Sequence, residues 1–275
     1  MDGSSHTTDE GTPPTYDLLS EAYDLAPSSD PVVRSYVICS TPRSGSTLLA
    51  EALHHTGVLG VPAEYIGLSG TVPQLYARWE CGGLNDYVDR LHAVRSTENR
   101  IFGIKVHWHQ LLEFSNVSQG KPREAPVDFS VLSAVVMRVA PNPAFVFVSR
   151  RDRARQAVSH WIASQTLQWH DVGAEPAPDV PPYDFAGIQR MTEGIDESEE
   201  SWERFFTLGQ LSPLRLIYED FVGDYDATVR RVADFVGVDS TTLTIPPPRL
   251  RKQSRPASVE YAARYRADLA RGSAG

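Results

Sequence analysis

Four short apolar runs recur along the chain: Tyr36-Val37-Ile38-Cys39, Ile101-Phe102-Gly103-Ile104, Ala144-Phe145-Val146-Phe147-Val148 and Leu214-Arg215-Leu216-Ile217-Tyr218. Their length and richness in β-branched and aromatic residues predict buried strands of a parallel sheet. Helical spacing follows or separates them. Leu48, Leu49, Ala52 and Leu53 mark one helix, with Gly57 as its stop. Residues 71–79 and 84–95 read as helices, the second with Leu84, Tyr87, Val88 and Leu91 on one face. Phe129 to Val139 gives another. A helix starts within the arginine-rich run and continues through His160, Trp161, Gln165 and Thr166 to Trp169, with Trp161 and Trp169 eight apart and on one face. Residues 184–208 carry Ile188, Met191, Ile195, Trp202, Phe205 and Phe206 at helical intervals, and residues 225–236 stop at Gly237. Strands alternating with helices predict a single α/β domain with a mainly parallel central sheet flanked by helices.

Between these elements lie polar stretches. Residues 1–34 are rich in Ser, Thr, Pro, Asp and Glu and predict a disordered or loosely docked arm, leaving 35–275 as the folded domain. Residues 115–127 read as a polar loop and 171–183 as a Pro-rich, acidic loop or flap. With 275 residues and 41% apolar composition, one sizeable core is expected. The net charge of −9 argues against a general nucleic-acid binder, so any anion site must be a local basic cluster. Of the two cysteines, Cys39 falls in a buried strand, which fits a reducing compartment. No segment reads as a leader or a membrane span, and a cytoplasmic protein is expected.

The first strand runs directly into Ser40-Thr41-Pro42-Arg43-Ser44-Gly45-Ser46-Thr47 and then a helix. Strand, small-residue turn and helix N-terminus make an anion cradle of backbone N–H groups. Arg43 sits inside the turn, where a guanidinium can fork onto phosphate oxygens, and Ser44, Ser46 and Thr47 add hydroxyls beside Gly45. The G-x-x-x-x-G-K-[ST] pattern of nucleotide triphosphatases is absent, which disfavours a P-loop kinase or ATPase as the alternative. A non-catalytic nucleotide-binding protein is the other alternative.

T-P-R-S-G-S-T after a strand resembles the 5′-phosphosulfate loop of sulfotransferases that use 3′-phosphoadenosine 5′-phosphosulfate (PAPS). CSTPRSGSTLLAEAL with Pro62-Ala63-Glu64 is similar, more narrowly, to the bacterial trehalose 2-sulfotransferase family. The resemblance runs from about Tyr36 to the C-terminus. It implies a P-loop-like sulfotransferase fold, PAPS as donor with 3′-phosphoadenosine 5′-phosphate (PAP) as product, no metal, a small hydroxylated acceptor such as a carbohydrate, and a homodimer. It assigns the general base to Glu64. Lys105-x-His107 resembles the segment of animal cytosolic sulfotransferases that serves the transfer step, which makes His107 a second candidate base and Lys105 a partner of the sulfonate. The residue before Pro62 is often Glu in the trehalose family and is Val61 here, a departure at a sugar contact.

A second motif follows the third strand, Ser149-Arg150-Arg151-Asp152-Arg153-Ala154-Arg155-Gln156-Ala157-Val158-Ser159. Sulfotransferases hold the 3′-phosphate with an Arg and a Ser eight positions later. Arg151 and Ser159 fit, and the doubled arginine leaves Arg150 as an alternative. Four arginines within six positions would repel one another without an anion. Tyr218-Glu219-Asp220-Phe221 resembles a superfamily segment beside the nucleotide, and Arg251 and Gln253 lie in a basic tail that could close over the 3′-phosphate. In an extended strand Lys105, His107 and His109 would share a face, but His-x-His has no third ligand at a metal-binding spacing.

Overall fold

The computed structural model describes residues 17–126, 128–169, 179–249 and 256–272. Its centre is a four-stranded parallel sheet of β1 (Arg34–Ser40), β2 (Ile101–His107), β3 (Pro143–Ser149) and β4 (Leu214–Ile217), in the order β2-β1-β3-β4. All four predicted strands are present. β1 is central and is buried from Ser35 to Ser40, as a strand paired on both edges and covered by helices must be. Gly103 of β2 stands beside Tyr36 of β1 because no side chain fits there. A Cβ would come within 2.4 Å of the Tyr36 ring, whose hydroxyl crosses to donate to the Leu59 carbonyl at 2.6 Å.

The helices are α1 (Ser46–His54), α2 (Thr71–Arg78), α3 (Leu84–Arg95), α4 (Trp108–Ser118), α5 (Phe129–Val139), α6 (Arg153–Thr166), α7 (Phe185–Leu208), α8 (Tyr218–Gly223), α9 (Tyr225–Val236) and α10 (Pro256–Gly272). α1 and α9 pack together beside β1. α7 lays Trp202, Phe205 and Phe206 against Phe145 and Phe147 of β3 and Trp108 of α4. The Trp202 indole N–H reaches the Ser40 carbonyl at 3.2 Å, so the aromatic core fixes the very end of β1. A second, smaller apolar cluster joins α6, α7 and α10 through Ala157, Val158, Trp161, Ile188, Ile195 and Tyr265.

Several expectations are corrected. His109 does not continue β2. The strand ends at His107, whose backbone N–H donates to Gln110 Oε1 at 3.0 Å in a capping arrangement that starts α4. Residues 115–118, read as loop, complete that helix. Trp169 lies beyond α6, which ends at Thr166 with Leu167 in the left-handed region (φ 57°), so the two tryptophans do not share a helical face. The arm is tied down over its described part. Leu18 is buried, the Leu25 N–H donates to the Val94 carbonyl at 2.8 Å, and the buried Arg95 side chain donates to the carbonyls of Leu18, Leu19 and Ser20. Residues 1–16 lie outside the described residues.

Candidate active site

The turn between β1 and α1 is held from outside. Gln156 of α6, completely buried, donates through Nε2 to Thr41 Oγ1 and to the Pro42 carbonyl, each at 2.9 Å. Gly45 has φ 92° and lies under the Tyr218 ring, where a Cβ would come within 2.3 Å of Cδ2. Arg43 is itself left-handed (φ 63°), a conformation that costs a non-glycine residue and here throws its side chain across to α6. Its Nε donates to Ser159 Oγ at 2.9 Å and its Nη1 to the Trp169 carbonyl. Arg150 donates from Nη1 to the Arg43 carbonyl at 3.3 Å and lies over the Tyr218 ring, 4.8 Å from its centroid. Burial first, and the neighbouring Arg150 second, lower the Arg43 pKa to about 10, still far above neutrality. Burial likewise lowers Arg150. Two cations this close are stabilised by an arriving anion. Ser44 Oγ is buried with no hydrogen-bond partner among the described residues, a hydroxyl left over for that anion.

Beside this cradle stands a carboxylate. Glu64 follows Ala63, whose backbone bridges Ile104 of β2. Its Oε1 lies 2.7 Å from Lys105 Nζ and 3.3 Å from His107 Nε2, and its Oε2 accepts from Gln110 Nε2 at 2.6 Å. Lys105 also donates to Thr47 Oγ1 at 2.8 Å, so one ammonium touches both the cradle and the carboxylate. Burial would raise the Glu64 pKa, but Lys105 and His107 together outweigh it and hold the carboxyl well below the usual range. A carboxylate only accepts, so His107 Nε2 carries the proton it shares with Glu64. In the neutral ring Nδ1 then accepts from Ser40 Oγ at 3.1 Å. Both His107 nitrogens are thereby engaged.

His109 stacks beside His107 with ring centroids 6.0 Å apart, and His160 lies 6.1 Å from the Trp169 ring. Burial first, then His107 and Arg43, push the His160 pKa down to about 4, and its Nδ1 has no partner among the described residues.

The structure therefore brings Arg43, Ser44, Gly45, Ser46, Thr47, Arg150, Ser159 and Tyr218 to one turn, with Glu64, Lys105 and His107 alongside. Arg151 does not join Ser159. It is exposed and paired with both Asp220 oxygens at 2.8 and 2.9 Å, while Glu219 accepts from the backbone N–H groups of Arg151 and Asp152. The arginine run is relieved by protein acids: Arg153 pairs with Asp196 and Glu199, and Asp152 caps α6 and meets Arg266 of α10. The expected repulsion without an external anion does not arise at these positions. A cleft of about 320 Å³ opens there, lined by Arg151, Arg153, Glu219 and Arg266. Arg251 and Gln253 lie outside the described residues. Val61 is fully buried in the core rather than facing the site. Sequence reasoning missed Gln110 and His160. The signal for Gln110 was its position three residues after the strand end, and His160 had only its place after Ser159. Among the described residues no group of three or more His, Cys, Asp or Glu is placed to hold a metal ion, and no helix is long and apolar enough to cross a membrane.

A sheet of this topology with an anion cradle at the end of its central strand, next to a carboxylate steadied by a lysine and a histidine, is the architecture of a group-transfer enzyme acting on an anionic donor. The family model of the Stf0 sulphotransferases matches residues 35–268, and the chain belongs to that family. It is a sulfotransferase, which sets aside the kinase and the non-catalytic binding protein. Trehalose 2-sulfotransferase of Mycobacterium tuberculosis is 30% identical over 87% of this chain and 97% of the relative. The enzyme of that name from Mycolicibacterium smegmatis is 27% identical over 86% and 96%. Among solved structures, a sulfotransferase from Alicyclobacillus acidocaldarius is 15% identical over 89% of this chain and 94% of that one, with a TM-score of 0.43.

Proposed function

We propose that this sulfotransferase moves a sulfuryl group from PAPS to a hydroxyl of a small carbohydrate or similarly hydroxylated metabolite, with Glu64 as general base. The observation that carries the reading is Lys105, whose Nζ lies 2.8 Å from Thr47 Oγ1 in the cradle and 2.7 Å from Glu64 Oε1. Donor-binding and proton-accepting groups thus meet across a single side chain. The residues fit a nucleotide phosphate: the turn offers backbone N–H groups, the unpartnered Ser44 hydroxyl and the close pair Arg43 and Arg150. When bound, PAPS supplies the sulfuryl group and departs as PAP.

Arg43, Ser44, Ser46 and Thr47 would hold its 5′ end. Ser159, which already meets Arg43, and Arg150 are the described candidates for the 3′-phosphate; Arg151 would have to leave Asp220 to join them. Glu64 is ionised at neutral pH and removes the acceptor proton as the new bond forms. Its pairing with Lys105 makes it a weak base at rest. Drawing the ammonium towards donor oxygens returns basicity to the carboxylate where the acceptor arrives. His107, with both nitrogens engaged, orients Glu64 instead of competing for the proton. The names of the two mycobacterial relatives favour a disaccharide acceptor.

Two measurements test this. Sulfur-labelled PAPS with trehalose should give a labelled sugar. Glu64→Gln should keep PAP affinity in calorimetry and lose transfer by about a hundredfold or more. Transfer that survives Glu64→Gln but disappears in His107→Ala would move the base to His107.

A further inference from the structure

Gln110 is held by two contacts that leave its amide one orientation. The backbone N–H of His107 can only donate, so the Gln110 atom 3.0 Å away is the carbonyl Oε1. Its NH₂ must therefore face Glu64, and Nε2 lies 2.6 Å from Oε2 of that carboxylate. The side chain is buried, and the helix it belongs to, α4, starts where β2 ends. Fixed backbone geometry at the strand end is passed through one amide to Oε2 of Glu64.

We infer that Gln110 is a positioning residue of the transfer reaction, pinning Oε2 while His107 and Lys105 hold Oε1, so that the Glu64 carboxylate keeps one plane. The inference rests on Glu64 being the base. Without this donor, Lys105 Nζ, 2.7 Å from Oε1, can draw both oxygens into a symmetric ion pair. Such a pair turns the carboxylate from the acceptor. Among the described residues, the charged and titratable groups around Glu64 are Lys105 and His107 from β2 and His109 from the start of α4.

A cap alone would be satisfied by Glu at this position, since a carboxylate accepts from the His107 N–H as well as an amide does. Gln110→Glu therefore separates the two roles. Its carboxyl can donate to Glu64 only when protonated, and two carboxylates this close share a proton. With PAPS and trehalose as the probe acceptor, Gln110→Glu should keep PAP affinity and lose about tenfold in kcat near ~pH 8. The deficit should shrink as pH falls towards ~pH 6. Gln110→Met, which neither caps nor donates, should lose activity at every pH. A constant ratio of Gln110→Glu to wild-type kcat across pH, at or near one, would leave only the cap and overturn the inference.

Should the wild type sulfate no trehalose, the acceptor assignment fails by itself. The inference is then judged by carbon-13 titration of the Glu64 carboxyl, identified by its loss in Glu64→Gln. Removing a donor from a carboxylate raises its pKa, so Gln110→Met must shift that titration upwards. An unmoved titration sinks the positioning role whatever the substrate is.

Discussion

At the scale of single residues, the cradle depends on what is missing from Gly45. Its φ of 92° excludes most L side chains, and its Cα supports the Tyr218 ring on which Arg150 rests. Gly45→Ala must either flip the turn or displace Tyr218. We expect a loss of about 1–3 kcal/mol in stability and a marked fall in PAP affinity, read by thermal unfolding and calorimetry. Unchanged PAP binding in that variant would mean that Tyr218 and Arg150 do not shape the donor site. Arg43 and Gly45 were legible as letters because a strand–turn–helix with Pro-Arg and small hydroxyls has few other uses, whereas Glu64 was legible only through the family resemblance. The register of the doubled arginine was not legible. Arg150 and Arg151 are equivalent in sequence, and only the placement of Asp220 against Arg151 and Tyr218 against Arg150 separates them. Gln110 was hidden for a related reason, since its meaning lies in two partners that sequence spacing does not reveal.

At the scale of elements, the strands were the most legible part. β1, β2 and β3 are dense apolar runs bounded by polar turns, and burial from both sides leaves such runs little freedom, while β4, at the sheet edge, buries only Leu216. Three helices escaped, α4, α8 and α10; Tyr218, read as the end of the fourth strand, instead starts α8. In α4 the alternation of Lys105, His107 and His109 imitates a strand, while the capping amide that breaks it is a tertiary detail. α10 buries only Ala262 and Tyr265 in an otherwise polar segment, too thin a stripe to announce a helix. Yet α10 braces α6, the helix that carries Gln156 and Ser159. Tyr265→Ala should therefore cost roughly 3 kcal/mol and weaken PAP binding with it. A melting temperature equal to that of the wild type would show that the smaller apolar cluster contributes little.

At the scale of the whole molecule, acid should act in two stages. Burial holds His54 and His160 down to about 4 from an ordinary value of 6.5. A histidine with a lowered folded-state pKa resists protonation, so the unfolded chain binds protons first. Stability should fall as pH drops from about 6.5 to about 4 and this contribution should then level off. Glu64 acts in the same direction, at lower pH. Its depressed pKa gives stability that is fully present above the ordinary carboxylate range and is lost only as pH falls through its own lower value. Melting temperature followed against pH should show the histidine decline, and His160→Gln should flatten part of it. A curve that stays level between about pH 6.5 and about pH 4 would remove this account.

The match to the sulfotransferase family begins at Ser35, but the physical unit begins earlier. Arg95 has no exposed surface, and the groups that satisfy its guanidinium are the carbonyls of Leu18, Leu19 and Ser20 and the carboxylate of Asp24. A chain trimmed to the homologous boundary would strand a full positive charge inside the protein with its one counterion, Asp24, and three acceptor carbonyls cut away. Removing those leading residues, which no motif marks, would damage the end of α3 as surely as a wound to the core.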